Sequence, residues 1–307
     1  MTDRVALVTG ASSGIGEAVA RRLLADGFVV YAGARRLDKM TGLAGAGAVT
    51  VAVDVTDDAS MVRLVDRIVA ERGRIDVLVN NAGYGSYGAV EDVPLEKGRR
   101  QLEVNLFGLA RLTQLVIPHM RRARRGRVIN VSSIGGRFGE PLGAWYHASK
   151  FAVEGFSDSL RLELADFGIQ VIVIEPGAIN TEWGSIALDS AEQFSGEGPY
   201  AAHLAAMRRT WSGAEQAGSG PEVVAEAIGH AAGARRPRLR YAVPWSAKAL
   251  MLAVRLLPDR AMYRVARAVL LRGGVDTSGA GERCAAEPGL LSPGRCAARR
   301  PRRTGRV

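Results

Sequence analysis

The sequence predicts an α/β fold in which a mostly parallel, doubly wound sheet carries helices on both faces. Three observations predict it. Apolar runs and helical patterns alternate from residue 4 to about residue 175, the pattern of consecutive βαβ units. The runs are apolar at successive positions, as in Val77-Leu78-Val79 and Val171-Ile172-Val173-Ile174, which suits strands covered on both faces. The first run leads straight into a glycine-rich turn and then a helical pattern, a unit that gathers backbone N–H groups at a helix N-terminus.

Strands are expected near 4–9, 28–34, 49–53, 76–80, 127–132 and 169–174, and helices near 15–26, 58–72, 97–123 and 145–167. After Pro176-Gly177 the alternation breaks down over about 182–220 into a segment rich in Gly, Ser and Ala with isolated aromatics. An irregular insert of that length reads as a lid or binding loop. Arg240-Tyr241-Ala242-Val243-Pro244 supplies a further strand, and two short basic amphipathic patterns follow at 246–257 and 259–272. Beyond Gly273-Gly274 the chain is rich in Gly, Pro and Arg without periodicity, the composition of a disordered tail. The domain plan is therefore a main domain over 1–245, a basic helical extension over 246–272 and a tail over 273–307.

A chain of 307 residues, 47% hydrophobic and 23% charged, has the composition of a folded globular protein. The net charge of +10 is unevenly spread. Residues 1–234 carry 24 Lys+Arg against 27 Asp+Glu, whereas 235–307 carry 17 against 4. The motif-bearing part thus gives no reason to expect a polyanionic partner, and the tail lacks the interleaved aromatics of a nucleic-acid-binding segment. Cys284 and Cys296 are the only cysteines and both lie in the tail, so no disulfide framework is expected and a reducing, cytoplasmic compartment is. The N-terminus opens directly into Arg4-Val5-Ala6-Leu7-Val8 without a secretory pattern. No apolar run approaches the roughly 20 residues of a bilayer span.

Thr9-Gly10-Ala11-Ser12-Ser13-Gly14-Ile15-Gly16 lies between the first strand and a helix running from Glu17 to Asp26. In such a turn Gly10 permits the tight bend, Gly14 lets a phosphate backbone approach and Gly16 lets helix and strand pack, so a pyrophosphate can sit at the positive helix end. The spacing is G-x-x-x-G-x-G and not the general G-x-G-x-x-G.

That spacing, with Thr9 in front, resembles the cofactor motif of the classical short-chain dehydrogenases/reductases. Three more motifs follow in that family's order: Asp54 after the third strand, Asn80-Asn81-Ala82-Gly83 after the fourth, and Tyr146-x-x-x-Lys150 preceded at thirteen residues by Ser133. The resemblance covers about 4–245. It implies one Rossmann-type domain with a seven-stranded parallel sheet, a nicotinamide cofactor and assembly as a homodimer or homotetramer. It assigns Gly10, Ser12, Ser13, Gly14, Ile15 and Gly16 to the pyrophosphate turn, and Asp54 and Val55 to the adenine. It places Asn81, Ala82 and Gly83 behind the adenine ribose, though turn formation explains that segment equally well. Pro176, Gly177, Ile179 and Thr181 fall to the nicotinamide carboxamide. The second strand ends Tyr31-Ala32-Gly33-Ala34-Arg35-Arg36, with no carboxylate before Asp38. Arg35, with Arg36 behind it, suits the 2′-phosphate of NADP(H) in preference to NAD(H).

Tyr146 and Lys150 are four apart on an expected helix and share a face. A phenol with a pKa near 10 exchanges protons poorly at neutral pH, and a nearby ammonium lowers that value. Ser133, at the end of the fifth strand, can hydrogen-bond a substrate oxygen. Asn105 matches the family residue that holds a water in the proton relay, and Lys150 matches the one that also binds the nicotinamide ribose. The expected reaction interconverts a small-molecule alcohol and its carbonyl, with Tyr146 as acid/base. Phe138, Leu142, Trp145, Trp183, Phe194, Tyr200 and Trp211 are the substrate-side candidates, with no charged clamp among them, which points to an apolar substrate. The stretch 246–272 either packs over the pocket or a subunit interface, or lies peripherally on an anionic membrane. Two rival functions are a non-catalytic dinucleotide-binding regulator or scaffold, and a sugar-nucleotide epimerase or dehydratase. The first typically lacks the tyrosine or lysine kept here, and the second needs a different glycine spacing and a large C-terminal substrate domain.

Overall fold

The computed structural model describes residues 4–216 and 218–270. Its elements run β1 (Val5–Thr9), α1 (Gly14–Ala25), β2 (Val29–Ala34), α2 (Thr41–Gly45), β3 (Val49–Ala52), α3 (Asp58–Arg72) and β4 (Val77–Asn80). There follow α4 (Leu95–Leu102), a π-helical turn (Glu103–Gly108), α5 (Leu109–Arg122), β5 (Gly126–Val131), α6 (Ala144–Leu164) and β6 (Ile169–Pro176). The chain then forms α7 (Glu182–Ser195), α8 (Ala201–Gln216), α9 (Glu222–Gly233), β7 (Arg240–Val243), α10 (Trp245–Leu256) and α11 (Asp259–Leu270).

All seven strands are parallel, in the order β3-β2-β1-β4-β5-β6-β7. The chain reverses direction across the sheet between β1 and β4, and the crevice outside their carboxyl ends is where such sheets bind ligands. Continuous apolar strands feed two cores. On one face, Val19 and Leu23 of α1 and Val224 and Ile228 of α9 pack on Val8, Val30 and Ile129. On the other, Leu64 and Ile68 of α3, Leu112 and Val116 of α5 and Leu160 of α6 pack on Leu7, Leu78 and Val128. The helices form where apolar residues recur at three and four, as Gly16, Val19, Ala20 and Leu23 do in α1. The Asp57 side chain caps α3 by accepting from the Ala59 N–H, and Gly73 at φ 71° ends it. On β7, Arg240 bonds Glu154 at 3.0 Å and Asp158 at 2.6 Å on α6, which fastens the edge strand.

Two expectations are corrected. The single helix over 97–123 is two α-helices joined by the π-helical turn around Asn105. The irregular insert over 182–220 is mostly helical, with Ala187 and Ala191 of α7 and Leu204 and Met207 of α8 in one cluster with Tyr87 and Tyr146. Gly, Ser and Ala read as loop chemistry, but alanine is the best helix former, and Ala187 and Ala191, four apart, are fully buried. The expected tail, with Cys284 and Cys296, lies outside the described residues. No helix among the described residues is long and apolar enough to cross a membrane.

Candidate active site

The end of β1 is tied to the end of β4 by two side chains. The Thr9 hydroxyl accepts from the N–H groups of Asn81 and Ala82, each at 3.1 Å, and the Asn81 amide donates to the Thr9 carbonyl at 2.9 Å. This holds open the turn Gly10–Gly16 beside the cavity. Gly10 has φ 67°, a region that favours glycine. A Cβ on Gly16 would collide with the Gly10 carbonyl oxygen and the Asn81 amide. Ser13, the residue before α1, makes no side-chain cap, so the leading N–H groups of the helix are left for an anion in the cavity. Uncapped helix, glycine cradle and a cavity of about 770 Å³ together fit a dinucleotide.

Every residue that the sequence assigns to the cofactor lines this one cavity, from Gly10 through Arg35, Asp54, Val55, Asn81, Ala82 and Gly83 to Pro176, Gly177, Ile179 and Thr181. Arg35 and Arg36 stand exposed at the end of β2, on the cavity rim. Burial pushes the Asp54 carboxyl up, but hydrogen bonds from Thr56 and the charges of Arg100 and Arg35 outweigh it and hold the group below its ordinary value. Arg100, 3.8 Å from Asp54, lines the cavity too and carries no sequence signal that singles it out. Thr181 caps α7, accepting from the Trp183 N–H at 3.4 Å.

Tyr146 and Lys150 lie on the buried face of α6, with Ser133 opposite at the end of β5. Ser133 hydrogen-bonds the Tyr146 phenol and accepts from the Gly135 N–H at 3.0 Å. Lys150 Nζ donates to the Val131 carbonyl at 2.9 Å and stands 5.9 Å from the Tyr146 ring centre. Burial pushes the Tyr146 phenol well above its ordinary value, the Ser133 hydrogen bond lowers it and the Glu140 charge raises it. The lowering thus comes from Ser133 and burial outweighs it; the charge of Lys150, expected from the sequence to lower the phenol, is not among the causes. Burial also lowers the Lys150 ammonium to about 8, against the opposing charge of Glu154.

Asn105 does not line the cavity. Its amide nitrogen donates to the Tyr84 carbonyl and to Ser149 Oγ, both at 3.0 Å, and its oxygen accepts from the Tyr84 N–H at 3.1 Å. The side chain is committed to bracing the segment after β4 against α6, whereas the sequence reading gives it a relay water. His147 is a residue that sequence reasoning missed. Its Nδ1 lies 2.8 Å from the Gly135 carbonyl, and Nε2 accepts the Glu140 N–H at 3.1 Å. The Glu140 N–H aimed at Nε2 assigns the proton of the ring to Nδ1; burial lowers the imidazole, against backbone hydrogen bonds with Gly135 and Phe138 that raise it.

The substrate side is aromatic. Trp183 lies 4.9 Å from Tyr146 between ring centres, Tyr87 lies 5.6 Å from Tyr146, and Trp211 lies 5.1 Å from Tyr87. Of the seven expected substrate residues, Phe138, Trp183 and Trp211 line the cavity. Leu142 is buried in the cluster beneath, Trp145 packs on Gly98 and Phe194 on Gly88, and Tyr200 stacks near His203. The expectation of no charged clamp is also corrected, because Glu140 lines the cavity. It was missed because a lone Glu before Pro141 reads as turn chemistry. Leu250 of α10 and Met262, Val265, Ala266 and Val269 of α11 complete the wall.

The chain matches the family model described as short chain dehydrogenase over residues 4–189. It is 44% identical over 181 residues to 3-ketodihydrosphingosine reductase of Bacteroides thetaiotaomicron, a match spanning 59% of this chain and 66% of that protein. It is 34% identical to the NADPH-dependent 3-dehydrocapnine reductase of Ornithobacterium rhinotracheale over 85% of this chain and 95% of that one. A solved short-chain dehydrogenase from Streptomyces avermitilis, 33% identical, superposes with a TM-score of 0.74 over 87% of this chain and 96% of the other. Other similar structures hold NADP in one case and NADH in another, so the fold does not choose between them.

Proposed function

We propose, because this chain belongs to the short-chain dehydrogenase family and is an NAD(P)-dependent oxidoreductase, that it interconverts an apolar ketone and its alcohol with NADP(H). The observation that carries this reading is the Tyr146 phenol, 7% exposed, hydrogen-bonded to Ser133 and opening on the cavity that the glycine turn shares. A nicotinamide held in this cavity would supply the hydride in reduction and accept it in oxidation.

In reduction, Ser133 and Tyr146 hydrogen-bond the carbonyl oxygen and Tyr146 gives it a proton as negative charge develops there. Lys150, as an ammonium, steadies the phenolate left behind and can reach the ribose hydroxyls. Asn105 holds the Tyr84 segment in register with α6. The aromatic wall excludes water. Arg35 supports NADP(H) over NAD(H), since a guanidinium can grip a phosphate with two hydrogen bonds. The two relatives named as reductases support the reductive direction. The reading extends to a cytoplasmic homodimer or homotetramer, as the family resemblance implies.

The segment 246–272 is read as a cover for the substrate end, supported by the α11 residues that wall the cavity. A second role rests on the outer surface of α10 and α11, where Trp245 is 77% exposed and Leu256 69% exposed in a stretch that carries Arg255, Arg260, Arg264 and Arg267. That combination supports peripheral contact with anionic lipid.

The test is oxidation of NADPH and NADH by the purified protein across a panel of apolar ketones and aldehydes, with Tyr146→Phe as control. Turnover that the substitution abolishes supports the reductase. Tight cofactor binding without turnover on any compound points instead to the non-catalytic binding module.

A further inference from the structure

Two acidic side chains line the cavity beside the aromatic wall, Glu140 and the exposed Glu182 of α7; Glu140 is the one whose charge acts on the Tyr146 phenol, and nothing in the catalytic reading uses it. Its position is fixed. Its backbone N–H donates to His147 Nε2, and His147 is anchored through Nδ1 to the Gly135 carbonyl and is the next residue after Tyr146 on α6. The backbone of this turn therefore keeps its place relative to the catalytic phenol through one rigid imidazole, with the Glu140 carboxyl 3.9 Å from His147 Nε2.

The surroundings leave the carboxylate uncompensated. The titratable groups that face it are Tyr87, Tyr146 and His147. Among the described residues the only basic atom within 4 Å of it is His147 Nε2 at 3.9 Å, and that nitrogen already accepts the Glu140 N–H and carries no proton. Arg137, three residues earlier, is turned to Glu175 at 3.4 Å. Among the described residues no lysine or arginine pairs with Glu140. A charge in an apolar wall without a partner is costly, and burial accordingly raises this carboxyl to about 7. Tyr87 and Trp183 lie 5.6 and 4.9 Å from Tyr146 between ring centres, and Trp211 lies 5.8 Å from Trp183; all three line the cavity with Glu140, and aromatic faces attract cations. A carboxylate beside converging aromatic rings is a receptor for an ammonium group.

We propose that Glu140 binds a protonated amino group of the substrate, so that the preferred substrate is an amino ketone or amino alcohol whose apolar remainder runs along Trp183, Trp211 and α11. The proposal rests on the reading of Tyr146 as the group that meets the carbonyl, and adds a second fixed point a few bonds away. Two-point attachment orients the carbonyl and sets which face receives hydride.

The probe pair is 1-amino-2-octanol and 2-octanol, titrated against the full chain saturated with NADP⁺ and followed by tryptophan fluorescence, since Trp183 and Trp211 line the cavity. Charged hydrogen bonds of about 1.5–3 kcal/mol predict that the amino alcohol binds at least about tenfold tighter. Glu140→Gln is expected to erase that ratio while leaving 2-octanol binding unchanged, and Glu140→Asp to restore part of it. Equal affinities in the unaltered protein, or equal weakening of both probes by Glu140→Gln, overturn the proposal. Hydride transfer on the same pair separates the two readings. A retained binding preference without oxidation of either alcohol counts against the reductase reading alone, and oxidation of both without preference counts against the ammonium site alone.

Discussion

The Lys150 ammonium donates to the Val131 carbonyl at 2.9 Å, so the lysine of the catalytic helix is moored to the last residue of β5, two residues before Ser133. The mooring keeps the cation beside Tyr146 in a place where burial lowers it to about 8. The charged form exists below that pH and is lost above it. For reduction, kcat/KM is expected to hold steady up to about pH 8 and to fall beyond it. Lys150→Met should remove this limb and cost about a hundredfold in rate, within the range of acid/base contributions. A profile of the unaltered enzyme that stays flat through pH 9.5 contradicts the assignment.

Arg35→Ala is expected to lower the preference for NADPH over NADH by about tenfold to a hundredfold, the equivalent of one charge-assisted hydrogen bond to phosphate. The ratio of the two kcat/KM values measures it. An unchanged ratio would move the role to Arg36 or Arg100.

Thr9→Val keeps the shape of a side chain that is 1% exposed but leaves the Asn81 and Ala82 N–H groups without their acceptor. Stability should drop by about 1–3 kcal/mol, the cost of unsatisfied buried donors. A urea titration reads the loss, and cofactor affinity should weaken in parallel because the β1 and β4 ends are no longer joined. Thr9→Ser should recover most of both.

Val265→Asp puts a charge on the cavity face of α11. The KM for a long-chain ketone is expected to rise about tenfold, in keeping with about 25 cal/mol for each Å² of apolar surface left in water, while that for a short ketone stays put. Matching changes for both would remove α11 from the substrate wall.

The strands were legible because buried parallel strands are apolar at every position. Tyr146 and Lys150 were legible because a helix brings residues four apart together whatever surrounds it. The helical character of 182–220 was hidden by small residues: Ala187 and Ala191 allow close packing, yet in sequence they look like loop. The π-helical turn at Glu103–Gly108 was hidden because one wide turn leaves no period. Glu140, His147 and the bracing role of Asn105 depend on partners far along the chain or on loop geometry, and local spacing carries neither.

Apart from Tyr87 and the Phe138–Glu140 loop, the side chains that wall the substrate end come from α7, α8, α10 and α11, after the last cofactor-lining strand, β6, has ended. Most of the apolar wall thus lies after the catalytic residues in the gene, with Glu140 set among them, between Ser133 and Tyr146. Recombination within 182–270 can trade one client molecule for another while the proton donor, the lysine and the glycine cradle pass on unaltered.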